Sequence, residues 1–147
     1  MIDLPLEPTG PAYLALLREA AVACESFSLV WRDLPRQSDG PAAIEKALRP
    51  ALLQEGSARS WPGTELLGGP PATVRHYRLD PSTLGLLSQA PGLYAWLAPD
   101  RPEDLAFYRA NGSVWLGSVA HEAMGFFGDG APSKAELRRC LPEVLLR

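Results

Sequence analysis

Cysteine, histidine and lysine are scarce in this sequence, and each scarcity narrows the chemistry open to it. The 147 residues include two cysteines, two histidines and two lysines. Cys24 and Cys140 lie far apart, each within an apolar helical pattern, so we expect two buried thiols rather than a disulfide or a reactive thiol. His76 and His121 have no ligand spacing with each other or with a cysteine, so we expect neither a metal nor another cofactor.

Clustered positive charge is also missing. Lysine and arginine number 14 against 17 aspartates and glutamates, which gives a formal net charge of −3. Nucleic-acid affinity comes largely from clustered basic side chains that release counterions, so we expect no nucleic-acid partner. The basic residues are mostly arginines scattered along the chain. We attribute this arginine bias to GC-rich coding rather than to guanidinium chemistry.

The third absence is a long apolar run. No segment approaches the roughly 18 apolar residues of a membrane-spanning helix, and the opening Met1-Ile2-Asp3 lacks the basic segment of a secretion signal. We therefore expect a cytoplasmic protein without a membrane partner. Because 46% of the residues are apolar, a chain of this length can bury its own core. We expect one domain over residues 1–147.

What the sequence does contain is a mixed pattern of helices and strands. Proline near the first turn predicts helices from Gly10-Pro11, Gly40-Pro41 and Asp80-Pro81, and capping-box spacing at Ser133 predicts a last one. Strands are expected at 26–32, 64–67, 72–79, 93–98, 105–110 and 113–121. This order predicts an α+β fold in which an antiparallel or mixed sheet, with most strands in residues 64–122, is packed by N-terminal and C-terminal helices.

Finer expectations follow from the same patterns. The buried stripe of the first helix is expected at Leu14, Leu17, Ala21 and Cys24. Residues 56–71 are rich in glycine, serine and proline, which predicts a long loop. On the strand at 93–98, Tyr94 and Trp96 are expected to share one face.

The pair Asn111-Gly112 is the clearest local signal. It favours a two-residue type I′ hairpin turn, in which both residues need a positive φ. That turn sets Phe107 opposite Leu116 and Tyr108 opposite Trp115, so the last two rings are expected on one face. Both faces of the hairpin are then partly apolar and need a cover, either from the protein's own helices or from another molecule.

His121 and Glu122 begin a fragment that starts like the zinc-binding helix of a metalloprotease. Zinc binding there requires a second histidine four residues on, but that position is Gly125. The two also fit poorly as an acid–base pair, because neighbouring side chains on a strand point to opposite faces. His121 and Glu122 stay catalytic candidates, which His76 or Tyr108 could join only through folding.

Three acids and three aromatic residues are the candidate partner-binding residues. They are Trp61, Asp100, Glu103, Asp104, Tyr108 and Trp115. The acids fall in one turn, which indicates either a solvated loop edge or an acidic patch for a basic partner. Trp61 lies in a loop rich in proline and glycine and is expected to be exposed. Large aromatic side chains either fill the core or dominate binding hot spots.

These residues also carry a resemblance. The motifs Trp-Pro-Gly-Thr, Leu-Tyr-Ala-Trp, Pro-Glu-Asp-Leu, Phe-Tyr-Arg, Trp-Leu and His-Glu, spread between Trp61 and Glu122, resemble a group of small bacterial proteins of unknown function. The resemblance implies no activity and no catalytic residue. In general character, a small acidic α+β protein with several tryptophans and no catalytic motif is similar to immunity proteins, which neutralise toxins by occluding them.

The sequence thus predicts a non-enzymatic cytoplasmic protein-binding domain, with an immunity protein that occludes a basic toxin as the leading hypothesis. One alternative is a small hydrolase or transferase with a pocket around His121. Another is a regulatory module that binds a small anionic ligand through Arg75, Arg78 and Arg109. A homodimer is a further option, because an uncovered aromatic sheet face would favour self-association.

Overall fold

The computed structural model describes residues 2–33 and 38–131, together with Ser133, Ala135, Leu137 and Arg138. In this part of the chain the elements follow in the order β1 (Ile2–Asp3), α1 (Gly10–Ala23), β2 (Ser26–Trp31), α2 (Gly40–Leu48), β3 (Leu52–Ala58), β4 (Ser60–Trp61), β5 (Thr64–Glu65), β6 (Ala72–Arg78), α3 (Pro81–Leu87), β7 (Glu103–Tyr108), β8 (Val114–Val119) and β9 (Met124–Phe127). No helix among the described residues is long and apolar enough to cross a bilayer.

Seven of the strands form one sheet, in the order β1-β9-β8-β7-β2-β6-β3, while β4 and β5 form a separate small hairpin. All the strand pairings in the described residues are antiparallel. The α+β class is therefore confirmed. The helix predicted from Ser133 lies largely outside the described residues.

Side chains of α1 belong to the main apolar cluster, together with side chains of β2, β7, β8 and β9. The residues it buries are Tyr13, Leu16, Leu17, Ala20 and, just after it, Cys24. The predicted stripe is therefore wrong at Leu14, which is 38% exposed, and at Ala21, which is also exposed. Tyr13 sets the buried face because its hydroxyl donates to the Leu87 carbonyl (2.7 Å) inside the cluster.

Residues 93–98 are not the predicted strand, since Leu93–Ala95 form a single 3-10 turn. Their backbone N–H groups are taken by the N-terminal segment: Leu93 donates to the Pro8 carbonyl (3.0 Å) and Tyr94 to the Glu7 carboxylate (3.0 Å). The Trp96 indole is buried and donates to the Tyr13 hydroxyl (2.9 Å). Contacts with distant residues thus override a local pattern that is typical of a strand.

Strand β3 is absent from the sequence expectations, which place a long loop from residue 56. Of the strands that the structure describes, β6 is the one it pairs with, so it lies at the edge of this sheet. Most of its side chains are exposed, so no alternation of apolar and polar residues marks it. Within the predicted loop, the β4–β5 hairpin turns at Gly63 (φ +86°), where a Cβ atom would lie 2.7 Å from Val119 and 2.9 Å from Phe126.

The hairpin between β7 and β8 keeps only part of its predicted register. Phe107 pairs with Leu116 as expected, but Tyr108 pairs with Val114 instead of Trp115. Only Gly112 in the turn has a positive φ (+85°), and its N–H donates to the Arg109 carbonyl (2.9 Å). The connection is therefore a three-residue loop with a glycine bulge, not a type I′ turn.

The Asp80 cap of α3 generates a stability prediction. The Asp80 carboxylate accepts from the Thr83 N–H (2.9 Å), and the Thr83 hydroxyl accepts from the Asp80 N–H (2.9 Å). We expect Asp80→Ala to lower the free energy of unfolding by about 1 kcal/mol at neutral pH, measured by urea denaturation. The exposed Asp100 caps no helix, and Asp100→Ala is the control.

The loss is expected to depend on pH. The Thr83 N–H and then the Arg78 guanidinium, which donates to Asp80 at 2.9 Å, hold the pKa of this carboxyl below its usual range. A lowered folded-state pKa contributes stability that is present above the unfolded pKa and lost as the pH falls through the folded one. The difference between wild type and Asp80→Ala should therefore shrink in acid. A difference that stays constant or grows in acid contradicts this account.

Candidate functional site

The predicted partner-binding residues lie inside the protein, with Asp100 as the exception. The exposed fractions are 8% for Trp61, 6% for Glu103, 2% for Asp104, 8% for Tyr108 and 1% for Trp115. The expectation of an exposed Trp61 ring and of a solvated acidic edge is therefore wrong, apart from Asp100, which is exposed. The partner-binding role of these residues stays a prediction. It was based on an exposed surface, and all of them except Asp100 are buried.

Asp104 is a buried bridge between three segments. Its Oδ2 accepts the indole N–H of Trp61 (2.8 Å), and its Oδ1 accepts the backbone N–H of Ala120 (3.0 Å). Its φ of +57° lies in the left-handed region, which aspartate tolerates better than most residues. Both oxygens of this carboxylate are thereby hydrogen-bonded, as a buried charge requires.

Tyr108 and Trp115 do not share a face. The Tyr108 hydroxyl is hydrogen-bonded to the Ser28 hydroxyl (2.8 Å), and its ring centroid lies 5.1 Å from that of His76. Trp115 belongs to the main apolar cluster, where its ring meets Phe127 edge-on at 5.2 Å. The one-residue shift in pairing between Phe107 and Tyr108 explains the separation, since such a shift reverses the faces of a strand.

The catalytic candidates are not assembled into an acid–base pair. His121 and Glu122 lie in the 3-10 turn Ala120–Glu122 rather than on a strand, with half-exposed side chains 3.9 Å apart. That distance is too long for a hydrogen bond. His76 and Tyr108 line a different cavity, of about 300 Å³, beside β3. All four of these side chains belong to the described residues, and no hydrogen bond joins any two of them.

Glu103, Asp104 and His121 do come together. Each offers one ligand atom, and these atoms lie within 4.8 Å of one another. Both oxygens of Asp104 already accept protein hydrogen bonds, and the Arg32 guanidinium lies 3.8 Å from the Glu103 carboxylate. The Asp104 carboxylate is thus held by two hydrogen-bond donors of the protein, and the Glu103 carboxylate lies beside the positive charge of Arg32.

Glu103 has an unfavourable environment for a negative charge. Burial is the main cause that raises the pKa of its carboxyl, and the neighbouring Asp104 charge raises it further. Arg32, the Ala98 N–H and His121 act in the opposite direction without cancelling the rise. A buried carboxyl in this state favours a proton or an added cation beside it.

The three arginines of the anionic-ligand hypothesis are not gathered in one place. Arg78 is bonded to Asp80 (2.9 Å), and Arg109 donates to the Gly130 carbonyl (3.0 Å). Arg75 alone of the three lines a sizeable cavity. The arginine set proposed from the sequence is therefore wrong, but a cluster of other cations surrounds Arg75.

That cavity, which we call the α2 cleft, has a volume of about 910 Å³ and opens between α2, the end of β2 and the turn before β7. Its wall includes Trp31, whose indole N–H donates to the Pro41 carbonyl at the start of α2 (3.1 Å). The Arg75 guanidinium lies over the Trp31 ring at 4.7 Å. Its apolar lining comprises Val30, Trp31, Pro41, Ala42, Ala98 and Pro99.

Positive charge dominates the lining of the α2 cleft. The charged residues are Arg32, Lys46, Arg49, Arg75 and Arg101 against Glu45 and Glu103. Arg49 donates to Glu45 (2.8 Å), and Arg75 donates to Glu55 (2.8 Å) just outside the cleft. Lys46 and Arg101 have no carboxylate partner in the described part of the chain, although Arg101 lies 5.7 Å from the Trp96 ring.

Most of these cations have no recognisable signal in the sequence. Arg32, Lys46, Arg75 and Arg101 come from four separate segments, so no spacing connects them. We attributed the scattered arginines to coding bias, but residues that are far apart in the sequence can lie close together in the fold, as three of these arginines do around the α2 cleft. The one local hint is that Arg32 directly follows the buried strand β2 and therefore emerges at a sheet end.

Comparison of the chain with family models, with curated proteins and with solved structures found no match. The resemblance to small bacterial proteins and to immunity proteins therefore stays a prediction.

The Asp104 bridge generates a second prediction. Asp104→Asn leaves one acceptor oxygen for two donors, so we expect a loss of about 1.5–3 kcal/mol in the free energy of unfolding. Trp61→Phe removes the indole donor. In a double-mutant cycle the two losses should be less than additive, because the Trp61→Phe variant has already lost one of the two bonds.

Trp115 provides the matched control, because its buried indole N–H has no hydrogen-bond partner among the described residues. Trp115→Phe removes a similar ring area without removing a bond. Its effect should add to that of Asp104→Asn, measured by urea denaturation of all the variants. Additivity in both cycles contradicts the Asp104 bridge.

Proposed function

We propose that the protein is a cytoplasmic binding domain for a small organic anion and that the α2 cleft is its site. The observation that carries the proposal is the excess of cationic over anionic side chains around an apolar, partly aromatic wall. An anion gains attraction from the charges of Lys46 and Arg101, which no carboxylate of the described chain neutralises. The apolar part of the same molecule gains from leaving water against Val30, Ala42 and Pro99.

The size of the cleft supports this proposal. Small-molecule sites commonly have volumes of about 300–1,000 Å³ and combine apolar walls with a few polar groups. The α2 cleft, at about 910 Å³, lies in this range. A ligand with one anionic group and a body larger than a single ring fits these properties better than an inorganic ion does.

The same part of the molecule removes the support for the toxin-occlusion hypothesis. It relied on an acidic surface that attracts a basic partner, but Glu103 and Asp104 are buried and the nearest large cavity is basic. The hydrolase or transferase alternative lacks an assembled acid–base pair among the described residues. Anion binding is the hypothesis whose required features coincide in one cavity.

The proposal predicts saturable binding of an aromatic anion. We expect 8-anilinonaphthalene-1-sulfonate to bind the native protein at one site with a rise in fluorescence. Lys46→Glu should weaken this binding about tenfold, because it replaces an attractive charge with a repulsive one. Added salt should also weaken the binding.

The control is Arg18→Glu, which makes the same change in net charge at an exposed position on α1. Its affinity for the probe should stay near that of wild type. The proposal fails if the native protein gives no saturable signal, or if Lys46→Glu and Arg18→Glu weaken binding equally.

A further inference from the structure

We propose that the ligand of the α2 cleft carries two anionic groups, with Lys46 binding one of them and Arg101 the other. This inference rests on the proposed function, which requires only one anionic group. It narrows the ligand class to a dianion with an apolar body, and it assigns one residue to each charge.

The carboxylates of the cleft lining are matched by the protein's own groups. The Glu103 carboxylate lies 3.8 Å from the Arg32 guanidinium and accepts the Ala98 N–H. Glu45 accepts a hydrogen bond from Arg49 (2.8 Å). Both negative charges of the lining thus have a cation of this chain beside them. The cleft therefore offers no unmatched carboxylate to a positively charged group.

The cations of the lining are not all matched in this way. Arg75 donates to Glu55 just outside the cleft (2.8 Å) and lies 4.0 Å from Glu45. Lys46 and Arg101 have no carboxylate within ion-pair distance in the part of the chain that the structure describes, and both line the cleft. Each can gain an ion pair from a ligand without losing one inside the protein. Their charges act in a concave site with an apolar wall, where solvent screens them less than at an open surface.

The two unmatched cations come from near opposite ends of α2. Arg101 follows Asp100, whose carbonyl lies so close to Gly40, the first residue of α2, that no Cβ atom would fit there. Lys46 is six residues further along the same helix, about 9 Å along its axis. The chain thus attaches the two cations at separate positions. Two anionic groups at different places on one ligand match these positions better than a single doubly charged group does.

The experiment uses diacids and their monomethyl esters, which match in length and differ by one negative charge. Hexanedioate, octanedioate and decanedioate are each compared with their ester near neutral pH, where carboxylic acids are ionised. Each compound is titrated against the protein with 8-anilinonaphthalene-1-sulfonate bound, and displacement is read by fluorescence. For at least one length we expect wild type to bind the diacid about tenfold more tightly than its ester, because the second carboxylate reaches the second cation.

The variants Lys46→Gln and Arg101→Gln test the assignment of the two cations. Each leaves one cation for two carboxylates, so the preference for the diacid should fall to about twofold or less, while the ester keeps a cation to bind. Arg18→Gln removes the same charge at an exposed position on α1 and should keep the full preference. Circular dichroism verifies that the variants are folded, and the affinity of the fluorescent probe is measured separately for each of them.

The outcomes separate this inference from the proposed function. Equal displacement by diacid and ester at every length in wild type overturns the second anionic group but leaves anion binding in place. A preference that survives in either glutamine variant of the cleft overturns the assignment to Lys46 and Arg101. Displacement by none of the compounds contradicts the proposed function itself.

A single doubly charged group is the competing ligand chemistry. Octyl phosphate and octyl sulfate place about two charges and one charge, respectively, on one head group, and their displacement of the probe is measured in the same way. A preference for the phosphate over the sulfate that exceeds the preference for diacid over ester overturns the proposal. A smaller preference supports two separate anionic groups.

Discussion

The Asp104 carboxylate is the point on which the arrangement of the second half of the chain depends. One oxygen holds the indole of Trp61 in the β4–β5 hairpin, and the other holds the backbone after β8 at Ala120. The hairpin covers Val30 and Val74 with the same indole. A single buried charge thus attaches the hairpin to the sheet, and its two donors compensate its burial.

The residue next to this bridge lines the α2 cleft. Asp104 uses both oxygens within the protein and is not a lining residue, whereas its neighbour Glu103 is one. Burial raises the pKa of the Glu103 carboxyl, and Arg32, which also lines the cleft, lies 3.8 Å from this carboxylate and 5.7 Å from the Trp61 ring. Two consecutive residues of β7 thus have different positions: Asp104 bridges protein segments, and Glu103 lines the cleft.

Features with a local cause were predictable from the sequence. Proline and glycine mark the starts of α1 and α2, and Asp80 marks that of α3, because these residues act within one turn. The strand at Ala72–Arg78 likewise follows from its composition. The features that could not be predicted depend on contacts between distant residues. The edge strand β3 has no apolar alternation, and pairing with β6 defines it. Trp115 turns toward Phe127 through a one-residue bulge, and the cations of the cleft come from separate segments.

The position of Trp31 has an optical consequence. It is the one tryptophan of the four that lines the α2 cleft, since Trp61, Trp96 and Trp115 are each at most 8% exposed and lie elsewhere. Its indole is half-buried between the Pro41 carbonyl and the Arg75 guanidinium. A molecule that enters the cleft meets the Trp31 ring directly, whereas Trp61 and Trp96 touch the cleft only through Arg32 and Arg101, each 5.7 Å from the respective ring. The protein therefore contains an intrinsic fluorophore in the wall of its candidate site, and Trp115 is the indole farthest from it in kind, since its ring packs on Phe127 in the main apolar cluster.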